Sequence, residues 1–308
     1  MEEEVRTPAT AACEEGAHSI AARAFGAQLP PDQSVLLFGA SGFLGRAFAA
    51  SLVRQGVPMV AAGWNAAAAH ELKLDLCEPG VAMAAMERCC AGVVIYCAAL
   101  ADVDACEREP ALSHAVNLDA PRELAAAAAG KGVLLAYIST DYVFAGLCGP
   151  YAENDETGPV NVYGLHKAQA EQAVLELAPN SLVLRTSQLY DAASCRRSLT
   201  CTSGGPLILS DQRMNTPTHV QDVVDGTLAL LGQHKAGIYH LAGPETLSRF
   251  AAGLVLVRTL ASDLRIEVGE GTPHGAPRPL RCGLCVDKAR AEIGYAPRSL
   301  ACVADAAS

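Results

Sequence analysis

The feature that most constrains the fold is an apolar run that leads directly into three regularly spaced glycines. Ser34-Val-Leu-Leu-Phe38 is followed at once by Gly39-Ala-Ser-Gly42-Phe-Leu-Gly45, and a helical pattern continues to Arg54. Glycines here permit a tight turn and let backbone amides approach a phosphate at the helix N-terminus, where the helix dipole favours negative charge. By itself the spacing fits a phosphate turn of any kind, but directly after the first strand it predicts dinucleotide binding.

The alternation of strand-like and helix-like segments continues beyond this first unit. The apolar runs have the continuous character of buried parallel strands, and the alanine-rich segments between them are typical of covering helices. Strands are predicted at 35–38, 59–62, 93–97, 134–139 and 181–185, and helices at 42–54, 120–129 and 168–177. This pattern predicts an α/β fold, a Rossmann-like doubly wound parallel sheet with right-handed crossovers and a small C-terminal substrate-binding lobe.

The pattern also predicts how the chain is divided. Residues 1–33 are rich in alanine and glutamate and are expected to form a mobile N-terminal extension. Residues 34–190 form the predicted dinucleotide-binding core. Residues 191–308, where prolines break the pattern, are expected to form mainly the small substrate lobe, with a strand near 237–241 returning to the core sheet.

Composition excludes several classes of function. A hydrophobic content of 51% indicates a globular protein, and a net charge of −10 argues against nucleic acid as a partner. Apolar runs such as 92–100 are too short to span a membrane, and Met1-Glu-Glu-Glu4 does not resemble a targeting signal, so a cytoplasmic location is expected. Cys282-Gly-Leu-Cys285 has no second cysteine pair at zinc-site spacing, so no metal site is predicted.

Tyr163 and Lys167 stand four residues apart, a spacing that should arise by chance roughly 0.13 times in a chain of this composition. Tyrosine is a poor acid at neutral pH, but a lysine one helical turn away is expected to lower its pKa. The lysine could also reach the ribose of a nicotinamide. Together with the glycine turn, the pair predicts hydride transfer between a nicotinamide and a carbonyl or alcohol carbon. The alternative is an amphipathic helix that carries both residues without a function.

Three further positions bear on the cofactor. The second predicted strand ends in Ala61-Ala-Gly-Trp-Asn65 without the acid that would bind a ribose 2′-hydroxyl, which favours NADP(H) while NAD(H) stays an option. Arg46 is either a neutralising group for the 2′-phosphate or a surface arginine. Asp75 either meets the adenine or lies in a solvated loop.

Three polar residues are candidates for the reacting end of the site. Ser139 and Thr140 end a central strand, where ligands bind in open α/β sheets, and only one of two adjacent strand residues can face the site. Asn117 either holds a water that relays protons or caps a helix.

These residues, in this order, resemble the extended short-chain dehydrogenase/reductase superfamily and, within it, the dTDP-4-dehydrorhamnose reductase family. The similarity covers roughly residues 34–298. Besides the glycine turn, it is carried by Ser139-Thr-Asp-Tyr-Val-Phe144, Asn161-Val-Tyr-Gly-x-x-Lys167, Leu184-Arg-Thr-Ser187, Asp211-Gln-Arg-x-x-x-Pro-Thr218 and Arg278-Pro279.

The resemblance implies an NAD(P)H-dependent oxidoreductase that reduces the 4-keto group of a nucleotide-linked deoxysugar. It implies catalytic roles for Thr140, Tyr163 and Lys167. The implied substrate contacts are Asp141, Tyr142 and Arg278. The implied cofactor contacts, besides Tyr163 and Lys167, are Gly39, Ser41, Gly42, Phe43, Leu44, Gly45, Arg46, Asp75, Leu76, Cys97, Ala98 and Ala99.

The same branch includes the regulatory β subunit of methionine adenosyltransferase, which binds NADP and serves as a partner subunit. The resemblance therefore leaves two assemblies open, a homodimer or a complex with a methionine adenosyltransferase catalytic subunit. The segment between Tyr190 and Asp211 is only 20 residues, shorter than in the reductases, and Thr140 and Tyr163 are 23 residues apart, about one fewer than expected. The C-terminus, 299–308, lacks the apolar aromatic tail expected of the β subunit.

Overall fold

The structure is a computed structural model that describes residues 25, 29–30, 32–64, 71–200, 205–269 and 275–307 of the 308-residue chain. Most of the predicted N-terminal extension therefore lies outside the described residues. Phe25 is an exception, because its side chain is 2% exposed and packs beside Gly232 in the core. At this position the chain belongs to the core, since a buried phenyl ring removes a large apolar area from water.

The six predicted strands are present to within about two residues at each end, and the structure adds, within the described residues, seven short strands that were not predicted. The thirteen strands of the described residues are β1 Ser34–Phe38, β2 Met59–Gly63, β3 Glu71–Lys73, β4 Ala91–Tyr96, β5 Leu134–Thr140, β6 Leu182–Thr186, β7 Leu189–Tyr190, β8 Leu207–Leu209, β9 Met214–Asn215, β10 Thr218–His219, β11 Gly237–His240, β12 Leu247–Ser248 and β13 Ile266–Val268.

Seven of these strands form one parallel sheet in the order β11-β6-β5-β4-β1-β2-β3. The chain starts in the middle of the sheet and winds outward in both directions, so the predicted doubly wound fold is confirmed. In such a sheet the crevice for ligands lies at the carboxyl ends of β1 and β4, where the winding direction reverses. The short strands pair separately as β7 with β10, β9 with β12, and β8 with β13.

Helices cover both faces of the sheet. Those of the described residues are α1 Phe43–Arg54, α2 Val81–Arg88, α3 Val103–Arg108, α4 Pro110–His114, α5 Ala120–Ala129, α6 Val162–Leu177, α7 Ala192–Thr200, α8 Val220–Gly232, α9 Arg249–Thr259 and α10 Asp287–Ile293. A π-helical segment, Ala115–Asp119, joins α4 to α5, and 3₁₀ segments occur at Asp141–Val143 and Leu300–Ala307.

The two faces of the sheet have separate hydrophobic cores. Side chains alternate along β1, so that Val35 and Leu37 pack with α1 and α8, whereas Leu36 and Phe38 pack with α2, α5 and α6. None of the helices in the described ranges is long and apolar enough to cross a membrane.

Helix α6 begins six residues before its predicted start at Ala168. The Asn161 side chain accepts a hydrogen bond from the Gly164 amide at 2.8 Å and so caps the first turn. Because the cap precedes Tyr163, both Tyr163 and Lys167 lie in the first two turns of this helix.

Candidate active site

The glycine turn after β1 brings three backbone segments into close contact. Gly39 has φ +79°, and a Cβ atom there would lie 2.6 Å from the Ala98 amide nitrogen beyond β4. A Cβ atom on Gly45 would lie 2.1 Å from the Gly39 carbonyl oxygen, which also accepts a hydrogen bond from the Gly42 amide at 2.9 Å. The turn therefore requires glycine at positions 39 and 45.

The start of α1 fits a dinucleotide. Gly42 is the N-cap residue and provides no side-chain cap, and the first turn of the helix contains no acidic residue. The first amides of a helix have no acceptor within the helix, and the dipole makes this end positive, so the pyrophosphate of a bound cofactor would be held here. Arg46 donates from Nη1 to the Ser41 carbonyl and thereby braces the turn.

Two of the other predicted cofactor contacts follow strands β4 and β3. Cys97 follows β4, and its amide donates to the Phe38 carbonyl at 3.0 Å. Asp75 accepts a hydrogen bond from the Cys77 amide at 2.9 Å, which shapes the loop after β3. The described part of the loop after β2 ends at Trp64, so Asn65 lies outside the described residues; the Lys73 ammonium lies 6.0 Å from the Trp64 ring centroid.

Two hydroxyl groups meet at the carboxyl end of β5. Thr140 is the last residue of the strand, and its hydroxyl, which donates to Asp141 at 3.2 Å, is close enough to the Tyr163 phenol to lower the pKa of that phenol. The ring of Tyr142 packs edge-on against the ring of Tyr163, with 6.0 Å between the centroids. The structure thus brings together Thr140, Tyr142 and Tyr163, which the sequence placed on a strand end and a separate helix.

The pKa of Tyr163 is raised above its usual value near 10. Burial is the largest cause, the Thr140 hydrogen bond opposes it, and the nearby Asp141 carboxylate adds to it. The expectation that the pKa of this tyrosine is lowered is therefore wrong for the structure as described. The phenol stays protonated at neutral pH, which is the form that can donate a proton.

Lys167 is fully buried and occupied by protein partners. Its Nζ donates to the Ile138 carbonyl at 2.5 Å and lies 4.0 Å from the centroid of the Tyr137 ring. Burial lowers the pKa of Lys167 to about 7, while the Glu171 carboxylate one turn further along α6 acts in the opposite direction. These contacts hold the ammonium beside β5.

Ser139 belongs to a buried ionic network behind the site. Its hydroxyl donates to Glu171, which forms an ion pair with Arg185 at 2.7 Å between Oε2 and Nη2. The Arg185 guanidinium also stands 4.9 Å from the Phe144 ring centroid. With Ser139 engaged by Glu171, Thr140 is the hydroxyl of the two that lies next to the Tyr163 phenol.

Asn117 is not a helix cap, whereas its role in holding a water that relays protons stays a prediction. It lies within the π-helical segment, and its side chain pairs with the backbone of Leu100 through an accepted bond of 3.0 Å and a donated bond of 3.1 Å. The widened helix turn also leaves the Asn117 carbonyl free to accept from the Tyr137 hydroxyl at 3.2 Å. Asn117 therefore anchors the loop after β4 and is not a helix cap.

The predicted substrate-binding residues Asp141 and Arg278 already have partners within the protein. Burial raises the pKa of Asp141 to about 6, although a 2.7 Å hydrogen bond from Ser187 opposes the shift. Arg278 forms a two-pronged ion pair with Asp104, with nitrogen–oxygen distances of 3.0 and 2.7 Å. The Arg278 guanidinium is thus already neutralised.

Two residues near this cleft were missed by the sequence analysis. The charges of Arg213 and Arg249 act on the Tyr142 hydroxyl, so both lie close to the Tyr142–Tyr163 pair. Nothing in the sequence links two arginines that are 36 positions apart. Their proximity follows from the antiparallel pairing of β9 with β12.

Comparisons with known proteins agree with the fold. Residues 33–302 match the RmlD substrate binding domain. A dTDP-4-dehydrorhamnose reductase of Streptomyces griseus is 37% identical over 249 residues, 74% of this chain and 79% of the relative. Methionine adenosyltransferase 2 subunit beta of Xenopus laevis is 31% identical over 266 residues, 81% of this chain and 79% of the relative.

Structural similarity points to the same group. The crystal structure of a dTDP-4-dehydrorhamnose reductase from Clostridium acetobutylicum aligns with a TM-score of 0.81 at 25% sequence identity, covering 89% of this chain and 98% of that chain. The chain therefore belongs to the RmlD substrate binding domain family.

Proposed function

We propose that the protein is an NADP(H)-dependent reductase of a 4-keto, nucleotide-linked deoxysugar of the dTDP-4-dehydrorhamnose type. The observation that carries the proposal is the meeting of the Thr140 hydroxyl and the protonated Tyr163 phenol at the carboxyl end of β5. This point lies in the crevice that the sheet topology reserves for ligands. The named reductases among the relatives support the choice of substrate.

The residues of this chain divide the chemistry between them. When bound, the reduced nicotinamide supplies a hydride to the carbonyl carbon of the sugar. Thr140 donates a hydrogen bond to the carbonyl oxygen and so holds it beside Tyr163. Tyr163 then transfers its phenolic proton to the oxygen as negative charge develops there. The transfer stays favourable despite the raised pKa of Tyr163, because an alkoxide is a far stronger base than a phenolate.

Lys167 lies beside β5, next to the proposed catalytic residues. Its buried ammonium is fixed against the Ile138 carbonyl, and its pKa of about 7 lets it change its protonation state near neutral pH. It lies one helical turn from Tyr163, where it would hold the nicotinamide ribose of a bound cofactor. The position of Lys167 supports a role in holding the cofactor and in returning a proton to the active site after turnover.

NADP(H) is the favoured cofactor within this proposal, and NAD(H) is the alternative. The described end of β2, Gly63 and Trp64, presents no carboxylate that would repel a 2′-phosphate, and the Lys73 ammonium stands nearby. A cytoplasmic location is part of the proposal, because the cysteines of the described residues form no disulfides with one another, as expected in a reducing compartment.

The test combines cofactor binding with turnover. NADPH and NADH are titrated by fluorescence, and dTDP-4-dehydrorhamnose is then added while the absorbance of the reduced cofactor is followed. Tyr163→Phe is expected to lower kcat by about 10²- to 10⁴-fold while NADPH still binds, because only the proton donor is removed. Tyr239→Phe, which removes a hydroxyl bonded to Glu292, is the matched control and should keep full turnover. Unchanged turnover in Tyr163→Phe contradicts the assigned mechanism.

A regulatory subunit is the second candidate. The observation that favours it is the 31% identity to methionine adenosyltransferase 2 subunit beta across 81% of this chain. This function predicts NADPH binding without sugar turnover and retention of a methionine adenosyltransferase catalytic subunit in a pull-down. Turnover that depends on Tyr163 would exclude it as the sole function.

A further inference from the structure

Arg213 and Arg249 lie side by side in the small lobe. Strands β9 and β12 pair with Met214 opposite Ser248, and the Arg249 amide donates to the Arg213 carbonyl at 3.1 Å. The two arginines therefore extend from adjacent points of one short ladder. Within the described ranges, neither side chain forms an ion pair or a hydrogen bond, and the Nε atom of each is buried without a partner.

This arrangement is unfavourable in the protein alone. Burial and the positive charge of Arg213 both lower the pKa of Arg249, which shows that the two guanidinium groups repel each other. Arg249 is also the first residue of α9, and a cation at the positive end of a helix is destabilising. Buried donors without acceptors are rare in proteins, and an anionic ligand would satisfy both of these.

The position of the pair relates it to the reacting groups. Both charges act on Tyr142, whose ring is 6.0 Å from that of Tyr163, and Arg249 also lowers the pKa of the neighbouring Asp141. The arginines belong to elements of the small lobe, whereas the glycine turn for the cofactor belongs to β1 and α1. They therefore stand on the substrate side of the catalytic tyrosine.

Arg278, in contrast to Arg213 and Arg249, already has an acidic partner. Its guanidinium is held by both carboxylate oxygens of Asp104 and by the Ala276 carbonyl at 2.9 Å. Of the three arginines whose charges act on Tyr142, only Arg213 and Arg249 remain without an acceptor in the described structure.

We propose that Arg213 and Arg249 together bind the diphosphate of the nucleotide-linked substrate. A planar guanidinium presents paired donors that match phosphate oxygens, and two of them side by side can each contact one phosphate group. The inference rests on the proposed function for the sugar, but recognition of the anion requires only these two side chains.

The test measures binding of dTDP to the NADPH-loaded protein by isothermal titration calorimetry. Arg213→Gln and Arg249→Gln are each expected to weaken binding about 10- to 100-fold, since each removes a charged donor to phosphate. Arg258→Gln is the matched control, because Arg258 is exposed and lies at the other end of α9. Unchanged affinity for dTDP in folded Arg213 and Arg249 variants overturns the proposal.

A second measurement separates ligand binding from a structural role. Without dTDP, Arg249→Gln should melt at the same temperature as the wild type or higher, because it removes the repulsion from Arg213. Loss of affinity accompanied by a lower melting temperature would assign a structural role and overturn the proposal. If wild-type protein binds dTDP through both arginines but reduces no 4-keto sugar, the proposed reductase fails while the diphosphate site stands.

Discussion

Glu171→Gln should be one of the most damaging conservative substitutions in the described part of the chain. The Glu171 and Arg185 side chains are 5% and 3% exposed and are joined by nitrogen–oxygen contacts of 2.7, 3.0 and 3.1 Å. Glutamine keeps the shape and one acceptor oxygen but removes the charge. Besides that neutral oxygen, Arg185 then retains only the Glu153 carbonyl at 3.2 Å and the His240 ring at 3.5 Å as polar partners.

The size of the effect follows from the burial of the pair. Breaking a buried ion pair on one side costs about 3–5 kcal/mol, because the remaining charge is left uncompensated in a medium of low polarity. The pKa of His240 is lowered to about 3 by burial and by Arg185, so this ring is neutral and supplies no counter-charge. Since domains are stable by roughly 5–15 kcal/mol, the variant should lose a large fraction of its free energy of unfolding.

Urea denaturation measures this loss. The matched control is Glu87→Gln, which removes a carboxylate from a 2.8 Å pair with Lys131 whose side chains are about half exposed, and it should cost no more than about 1 kcal/mol. Glu171→Leu combined with Arg185→Met removes both charges and should cost less than the sum of the single variants. Equal losses in Glu171→Gln and Glu87→Gln would refute the reasoning.

Two further predictions address the lysine and the glycine turn. The pKa of Lys167 is about 7 when folded and near 10.4 when unfolded, so the unfolded chain binds the extra proton between these values. The free energy of unfolding of the wild type, relative to that of Lys167→Met, should therefore rise from about pH 7 to about pH 10 by up to about 1.4 kcal/mol per pH unit. Urea denaturation of both proteins at several pH values measures this rise. A difference between the two proteins that does not change with pH contradicts the low pKa. In Gly39→Ala, the new methyl group clashes with Ala98, and the positive φ costs roughly a further 1–2 kcal/mol. The control is Gly56→Ala, where φ is +66° and no atom lies within 4 Å of the new methyl group, so only the cost of positive φ applies. Thermal denaturation should show the larger loss for Gly39→Ala, and fluorescence titration should show weaker NADPH binding for that variant alone.

The sequence predicted the features that depend on neighbouring residues. The fold class and the family are confirmed, because the strand runs, the glycine turn and the Tyr163–Lys167 spacing are all local patterns. The rule that ligands bind at the carboxyl ends of parallel strands directed attention to Ser139 and Thr140, and the family resemblance, not this rule, selected Thr140.

Features that depend on distant pairing were not predictable in this way. Arg278 was predicted to contact the substrate, and the sequence contained no sign of its ion pair with Asp104, which lies 174 positions earlier in the chain. The direction of the pKa shift of Tyr163 was wrong because the sequence gives the spacing to Lys167 but not the burial or the position of the ammonium. The role of Asn117 depends on a π-helical turn, for which the sequence contains no recognised signal.

The connection between the core and the small lobe has a consequence for recombination between relatives. After the lobe residues that follow β7, the chain returns to the core with α8, which packs against α1, and with β11, which forms an edge of the main sheet. A chimera made with one crossover near residue 190 would therefore exchange a sheet strand and a covering helix together with the lobe. Exchanging substrate preference without disturbing the core requires two separate grafts, one before α8 and one after β11.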